Sequence, residues 1–359
     1  MDRNAVFLPG SVIGILGGGQ LGKMTALAAY QLGYKVIVWC QSAEEPAAQI
    51  ATYKVIAPFD DLEARQKFLM YADVVTYEFE NVSHSLAVAI EKTRVLRSSA
   101  SILAITQNRW EEKSFLKRIG IPTVRTMPIR TYAEMQACKI FAVPSILKTA
   151  QNGYDGKGQV LIRTHQELET KWHLFKGVPC TLEEKAAVEY EISVIVARDT
   201  RGLIEMYSPI ENVHVEGILD RSYYPGDHAS PAIEATARAI AQTIAERLHL
   251  NGLLAVEMFV LKNGRVLVNE IAPRPHNSGH LTIEACRTSQ FEQHVRAVCN
   301  LPLGSTHMRP GTWAMQNLIN VDEKECGRYF GNECASVHWY GKKEPRIGRK
   351  MGHVTFGPK

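Results

Sequence analysis

Two apolar runs, Leu253-Leu254-Ala255-Val256-Glu257-Met258-Phe259-Val260-Leu261 and Val266-Leu267-Val268-Asn269-Glu270-Ile271, decide the fold. Both read as buried strands, and Asn263-Gly264 between them is the dipeptide of a tight hairpin turn. Each strand carries one glutamate among apolar neighbours, Glu257 and Glu270. A carboxylate in such surroundings is costly unless a cation compensates it. Magnesium prefers oxygen ligands and takes one or two carboxylates together with phosphate oxygens and water. The hairpin therefore predicts a divalent cation, magnesium or manganese, held beside a phosphorylated ligand.

Upstream of the hairpin the same texture continues. Strand-like runs occur at 145–149, 159–163, 191–197, 203–207 and 213–219, and a helix at about 231–248. Amphipathic helices are expected at 108–119, closed by Gly120 and Pro122, and at 131–141. Strands outnumber helices and the connections are short, which predicts a mainly antiparallel α+β domain. Functional side chains then fall in a telling order. Arg109 and Lys113 lie on the first helix, and Lys148 ends the apolar strand Pro144-Ser145-Ile146-Leu147-Lys148. The loop Gly153-Tyr154-Asp155-Gly156-Lys157-Gly158-Gln159 follows, then a segment from Glu183 to Glu191, then Glu257 and Glu270. This suits ATP with magnesium. The cations neutralise phosphates, and a glycine loop can fold over them with backbone N–H groups while excluding water. Taken singly each feature has a bland reading: a solvated lysine, a turn, a water-facing glutamate. Their order and spacing carry the argument. Asp155 is the exception, because an acid repels phosphate; it is expected to orient a second substrate's amine, to pair with Lys157, or to cap the turn.

The beginning of the chain is different. Ser11-Val12-Ile13-Gly14-Ile15-Leu16 is a short apolar run, followed by Gly17-Gly18-Gly19 and a helical pattern from Gln20 to Leu32 that Gly33 stops. Strands at 35–39 and 73–77 and a helix at 61–71 complete an alternation that predicts a Rossmann-like parallel sheet. Gly17-Gly18-Gly19-Gln20-Leu21-Gly22 fits G-x-G-x-x-G, a backbone cradle for an anion at a helix N-terminus. The dinucleotide reading needs an acid at the end of the second strand. That end reads Trp39-Cys40-Gln41-Ser42, with no acid before Glu44, so a phosphorylated small molecule fits better than a nicotinamide cofactor.

Composition sets the outer limits. Apolar residues make up 45% of the 359 and charged residues 22%, a globular and not a disordered balance. A formal charge of +4 is too small to indicate nucleic acid. No apolar run approaches the ~18 residues that span a bilayer, and the first ten residues lack a signal region. Seven scattered cysteines without a C-x-x-C pair argue against a disulfide framework or a structural zinc site. The expectation is a soluble, cytoplasmic protein with no nucleic-acid or membrane partner. Near the end, Arg346, Arg349, Lys350 and His353 cluster with Gly348 and Gly352; glycines at that density imply a shaped backbone rather than a loose basic tail.

The central run resembles the ATP-grasp superfamily, in which two α+β lobes clamp ATP. The narrower resemblance is to the N5-carboxyaminoimidazole ribonucleotide synthetases of purine biosynthesis and covers essentially the whole chain. It is carried by residues 8–22, by Tyr77-Glu78-Phe79-Glu80-Asn81-Val82, by the 154–159 loop, by residues 191–198, by Asn269-Glu270-Ile271-Ala272-Pro273-Arg274-Pro275-His276-Asn277-Ser278-Gly279-His280, and by Gly348-Arg349-Lys350-Met351-Gly352-His353.

This resemblance implies an N-terminal Rossmann-like domain over 1–105, a two-lobed ATP-grasp domain over 106–300 and a small C-terminal domain over 301–359, assembled as a homodimer. It implies ATP contacts from Arg109, Lys148, Gly153, Tyr154, Asp155, Gly156, Lys157, Gly158, Gln159 and Asn269. Glu183, Glu184, Lys185 and Ala186 would hold the adenine, Glu191 the ribose and His214 the far wall, and Glu257 and Glu270 the metal. Tyr154, Asp155, Lys157, Arg274 and His276 would serve the chemistry. Gly19, Gln20, Leu21, Glu80, Asn81, Arg274, His276, Asn277, Arg349 and Lys350 would bind aminoimidazole ribonucleotide, with Lys350 and Arg349 or Arg346 on its phosphate. Two positions depart from the family pattern: an Asp common near Cys40 is missing, and Lys185-Ala186-Ala187-Val188 lacks the usual bulky aromatic, leaving backbone hydrogen bonds for the adenine. The nearest competing activity is formate-dependent glycinamide ribonucleotide transformylase, whose Arg-Pro-His run continues Asp-Thr-Gly where this chain has Asn277-Ser278-Gly279. A non-catalytic nucleotide-binding protein fits less well, because it has no need of buried carboxylates.

Overall fold

The computed structural model describes residues 4–153 and 156–358. The first region alternates β1 (Val12–Leu16), α1 (Gln20–Gln31), β2 (Lys35–Cys40), β3 (Tyr53–Ile56), α2 (Leu62–Tyr71), β4 (Val74–Tyr77), α3 (His84–Glu91), β5 (Val95–Leu96) and α4 (Ala100–Thr106). Its five strands form a parallel sheet in the order β3-β2-β1-β4-β5. The near-continuous apolar runs of β1, β2 and β4 match their burial on both faces. The glycine turn leaves the C-terminal end of β1, the edge at which open α/β sheets bind ligands.

The second region begins with α5 (Arg109–Arg118), whose first turn is capped by the Asn108 side chain. A small lobe follows: β6 (Thr126–Ile129), α6 (Tyr132–Ala137), β7 (Ser145–Thr149), β8 (Gln159–Ile162), α7 (His165–Leu174) and β9 (Cys180–Glu184). Its four strands run antiparallel in the order β6-β9-β7-β8. A larger lobe contains β10 (Val188–Arg198), β11 (Ile204–Met206), β12 (Ile210–Val215), β13 (Ile218–Tyr224), α8 (Pro231–Arg247), β14 (Gly252–Leu261), β15 (Val266–Ala272), α9 (Thr282–Ala285) and α10 (Gln290–Val298). Helix α8 starts with Pro231 at its first turn and buries Ala237, Ile240, Ala241, Ile244 and Ala245, a stripe at helical spacing that packs on β10 and β14.

The last region holds β16 (Trp313–Ile319), α11 (Glu323–Gly327), β17 (Ala335–Trp339) and β18 (Lys350–Phe356). Its strands do not form a sheet of their own. Pairing of β16 with β13 extends the large sheet to the order β15-β14-β10-β12-β13-β16-β18-β17, with β11 on β10. The stretch expected as one strand at 213–219 is instead the end of β12, a turn and the start of β13. Glu216 and Gly217 both adopt positive φ, +52° and +79°, the geometry of a tight hairpin turn that the apolar alternation concealed. The helix expected over 131–141 is α-helical only to Ala137 and tightens to a 3₁₀ turn over Cys138–Ile140.

The first two regions share a core. Phe291, Val295 and Val298 of α10 pack with Ile13, Ile15, Met24 and Val36, so the parallel sheet is fixed against the large lobe. His294 of the same helix lies fully buried with Nε2 3.0 Å from Thr76 Oγ1. Burial alone pushes its pKa from 6.5 down to about 3. The unfolded chain therefore binds a proton below pH 6.5 that the folded chain refuses, and stability falls as pH drops through that window. This one group is expected to cost about 2 kcal/mol between pH 6.5 and pH 5. Thermal melts of the protein and of His294→Gln at pH 7 and pH 5 test this; the variant is expected to lose less stability over the interval.

Candidate active site

A cavity of about 590 Å³ opens where the three regions meet, within the range of small-ligand sites. The turn after β1 contributes Gly19, Gln20 and Leu21, and the turn after β4 contributes Glu78, Phe79, Glu80 and Asn81. Arg109 enters from α5, and Ile146 and Lys148 from β7, two residues apart and so on one face. Gly153, Gly156, Lys157 and Gln159 line it from the glycine loop. Glu191, His214, Glu257, Phe259, Asn269 and Glu270 come from the large sheet; Arg274, His276 and Asn277 follow β15, and Lys350 opens β18. Tyr154 and Asp155 lie outside the described residues.

A bulge builds the acidic corner. Glu257 pairs with Glu270 across β14 and β15, but Met258 pairs with Val268, leaving Asn269 as the extra residue. Strict alternation would send residues 269 and 270 to opposite faces; the bulge lets both line the cavity. Glu270 Oε2 lies 3.3 Å from Arg109 Nη1. Glu257 Oε1 lies 2.9 Å from His276 Nε2, and burial, which would raise the Glu257 pKa, is outweighed by the hydrogen bond and charge of His276, with His214 and Arg274 behind it. The carboxyl is held below its usual range. Asn269 Oδ1 is buried without a hydrogen-bond partner.

The remaining charges are also paired. Arg274 binds Glu80 through both Nε and Nη2 of its guanidinium, Nη2 at 2.9 Å from Oε1. Burial opposes the Glu80 charge, yet Arg274 holds its pKa below the ordinary value. Lys148 forms an ion pair with Glu183, buried behind it; there too burial is overcome by Lys148, Lys113 and Arg109, and the Glu183 pKa is lowered. His214 Nδ1 sits 3.0 Å from Glu191 Oε2, and that contact raises the His214 pKa against its burial.

Some expected residues do not line this cavity. Glu183 is buried behind Lys148, while Glu184 and Lys185 are exposed and Ala186 is half-buried. The Lys185 amide donates to Pro144 O at 3.3 Å. The carbonyl of Gly158 accepts from Thr149 N at 2.8 Å, closing the base of the loop. Arg349 turns from the cavity and donates from Nη1 to Glu344 O at 2.9 Å, and Arg346 is exposed. Of the basic cluster near the end, Lys350 reaches the cavity.

Glu78 was not anticipated. Its carboxylate accepts from the Gly19 amide and, at 2.8 Å, from the Gly22 amide, so the chain itself occupies part of the anion cradle at the start of α1. The approach is so close that a Cβ on residue 19 would lie 2.7 Å from Glu78 Oε1. Burial raises the Glu78 pKa, although both amides pull it down. The signal in the sequence is an acid immediately after a fully buried strand that runs parallel beside the glycine turn. Ile146, Leu219 and Phe259 were also missed, since apolar strand residues that wall a ligand look like core.

An antiparallel four-stranded lobe and a large antiparallel sheet closing on paired carboxylates and lysines define an ATP-grasp enzyme. The family model described as ATP-grasp domain matches residues 114–291, the ribonucleotide synthetase preATP-grasp domain matches 11–107, and the phosphoribosylaminoimidazole carboxylase C-terminal domain matches 314–358. The chain belongs to the N5-carboxyaminoimidazole ribonucleotide synthase family. It is 42% identical to the Bacillus subtilis (strain 168) enzyme of that name, over 99% of this chain and 93% of that protein. A solved N5-carboxyaminoimidazole ribonucleotide synthetase in complex with ADP superposes with a TM-score of 0.93 at 41% identity, covering 99% of this chain and 94% of that one. The Aspergillus clavatus enzyme with ADP and 5-aminoimidazole ribonucleotide gives 0.89 at 28% identity, over 99% and 94% of the two chains.

Arg274→Ala would strand Glu80 without its cation. Side-chain exposures of 16% and 23% place the expected cost at the low end for a broken buried pair, about 3 kcal/mol. Urea denaturation measures it, and Glu80→Gln with Arg274→Ala together is expected to recover part of the loss.

Proposed function

We propose that this chain carboxylates 5-aminoimidazole ribonucleotide with ATP and bicarbonate, giving N5-carboxyaminoimidazole ribonucleotide, ADP and phosphate. The observation that carries this is the single cavity shared by the lysines and carboxylates of the ATP-grasp lobes, the turn at 19–21 and Lys350. A nucleotide site and a second phosphate site in one enclosure suit the transfer of a labile group between two phosphorylated substrates. The 42% identity to an enzyme of that activity supports the same reading.

In this mechanism a bicarbonate oxygen attacks the γ-phosphorus of ATP and the bond to ADP breaks, giving carboxyphosphate. The exocyclic amine then attacks the carboxyl carbon, or carbon dioxide released from it; a C–N bond forms, phosphate leaves and the amine gives up a proton. Arg109, Lys148, Lys157 and the loop amides hold the triphosphate, while Glu191 holds the ribose and His214 the far wall. The adenine is assigned to residues 183–186 on family resemblance alone, since they lie outside the lining of the cavity. Arg274 and His276 hold the bicarbonate and its phosphorylated form, with Tyr154 and Asp155 acting from the glycine loop. Gly19, Gln20, Leu21, Glu80, Asn81, Asn277 and Lys350 hold the ribonucleotide, while Arg349, bonded to Glu344 O, stays outside the cavity. The work of these groups is electrostatic, stabilising charge as it moves, and protective, keeping water from the anhydride.

The donor set fits magnesium: two opposed carboxylates, Glu257 and Glu270, beside the unpartnered Asn269 Oδ1, all oxygen. A metal held there would neutralise charge on the transferring phosphoryl group. A cytoplasmic homodimer belongs to this reading on family resemblance alone.

Phosphate release with aminoimidazole ribonucleotide is expected to require bicarbonate and not formate; stimulation by formate instead would point to the sister transformylase. Glu270→Gln is expected to lower turnover at least ~100-fold, about 3 kcal/mol of lost charge stabilisation, and near-normal turnover at saturating magnesium would remove the metal assignment. Lys350→Ala is expected to raise KM for the ribonucleotide ~10-fold or more while leaving KM for ATP unchanged. A shift in the ATP constant alone would move Lys350 to the other substrate.

A further inference from the structure

Beneath the cavity lies a column of imidazoles that the reaction does not use. His353 of β18 stacks on His338 of β17, ring centroids 4.4 Å apart and planes at 11°. On its other side His353 meets His280 at 4.6 Å and 35°. Both His280 and His353 are fully buried. Their Nε2 atoms have no hydrogen-bond partner, a desolvation penalty that phenylalanine at the same places would not incur. A column built for packing alone would be apolar. The polar tips that are used make it something else.

Two of the used tips are linked through one further residue to walls of the cavity. His280 Nδ1 accepts from Gln290 Nε2 at 3.1 Å. The same amide nitrogen donates to His276 O at 2.7 Å, and Gln290 Oε1 accepts from His276 N at 2.9 Å. The main chain of a cavity residue is thus clamped through His280's partner. His353 Nδ1 shares a hydrogen bond of 2.9 Å with the Tyr340 hydroxyl. The Tyr340 carbonyl in turn accepts at 2.8 Å from Lys23 Nζ, on the helix whose first turn forms the cavity's floor at Gly19–Leu21. Lys350 stands three residues before His353. A register shift at Met351 interrupts strand alternation there, so Lys350 reaches the cavity while His353 reaches His280. His338 Nε2 closes the outer end on Glu284 Oε1 of α9 at 2.6 Å. His276, His338 and Lys350 all lie near enough to His280 to lower its pKa further than burial alone.

We infer that the His280–His353–His338 column, with Tyr340 and Gln290, is a positioning device for the ribonucleotide side of the cavity. It sets the 276–277 turn, Lys350 and the start of α1 at fixed separations, while the triphosphate wall of the ATP side, formed by β7, α5 and the glycine loop, lies outside its hydrogen bonds. The inference rests on the proposed division of the cavity into a ribonucleotide side and an ATP side.

Tyr340→Phe removes one hydroxyl and keeps the ring; His353→Leu removes both the stack and the bond. Tyr340→Phe is expected to raise KM for aminoimidazole ribonucleotide about 3–10-fold and His353→Leu about 10-fold or more, with KM for ATP within about 2-fold of the parent. His353→Asn, whose amide can still meet the Tyr340 hydroxyl, is expected to recover part of that loss. Unchanged constants with a lowered melting temperature, or equal rises in both constants, would reduce the column to packing and overturn the inference. If His353→Leu fails to fold, Tyr340→Phe decides by the same criteria. Amide hydrogen exchange provides a reading without substrate. Tyr340→Phe is expected to speed exchange at the His276 amide and around Lys350 together, and acceleration confined to residues beside 340 would overturn the coupling. A parent protein with no ribonucleotide-dependent turnover would instead refute the proposed reaction, and exchange would still test the column.

Discussion

Two glutamates face each other across adjacent strands, and the site is arranged around that fact. Glu257 and Glu270 are cross-strand partners, where like charges repel, in a sheet whose neighbouring positions are apolar core. The pair is tolerable because hydrogen-bonding and cationic partners approach from outside the sheet: the His276 imidazole on one carboxylate, Arg109 on the other, Arg274 behind. Those partners come from α5 and from the segment after β15, so the carboxylate pair dictates where both must sit. The bulge at Asn269 adds a neutral oxygen beside the two charged ones and leaves it unpartnered. An arrangement this expensive is sustained by what it binds; in its absence, an apolar hairpin would be the more stable solution.

The architecture was legible where chemistry and periodicity agreed. β14 and β15, the Asn263-Gly264 turn, the amphipathic α5 and α8, and the alternation of the first hundred residues are all local patterns. What escaped was set by tertiary contact. The hairpin at Glu216-Gly217 interrupts a run that alternates correctly through the turn, so periodicity alone cannot see it. The last region reads as a small module because its strands are few, yet β16 finds its partner in β13, about ninety residues earlier, and continues a sheet already built. In the site, charged residues were found by their cost: a lysine or glutamate inside an apolar run needs an explanation. Phe259, Ile146 and Leu219 need none and were passed over. Arg349 shows the opposite error, since a cationic side chain beside Lys350 turns outward to Glu344, and sequence cannot distinguish neighbours on opposite sides of a strand entrance.

Glu78 complicates the anion cradle in an instructive way. A helix N-terminus with glycine-lined amides attracts any anion, and here a buried carboxylate from the adjacent strand takes the Gly19 and Gly22 amides. The adjacent Gln20 and Leu21 still border the cavity. An anion drawn to this helix end would share it with a resident acid whose pKa burial has raised. The cradle is thereby kept ordered before any ligand arrives, because its amides already have partners; an empty cradle would leave buried N–H groups unsatisfied.

The same economy explains why three regions, and not two lobes alone, enclose the cavity. Transfer through a mixed anhydride requires that the acceptor amine already be in place when the intermediate forms, because water competes from the first instant. Two rigid lobes can clamp a nucleotide, but the acceptor needs walls that do not move with the clamp. The α1 turn, the 276–277 segment and Lys350 are tied to one another by Lys23, Gln290 and the buried imidazoles, and the sheet of the first region is locked to the large lobe by α10. The small lobe shares none of those ties: β6 to β9 form a separate sheet with a core of their own. The molecule thus divides into a body whose regions are tied to one another and a small lobe, with a sheet and core of its own, that brings Lys148 and the base of the glycine loop to the cavity.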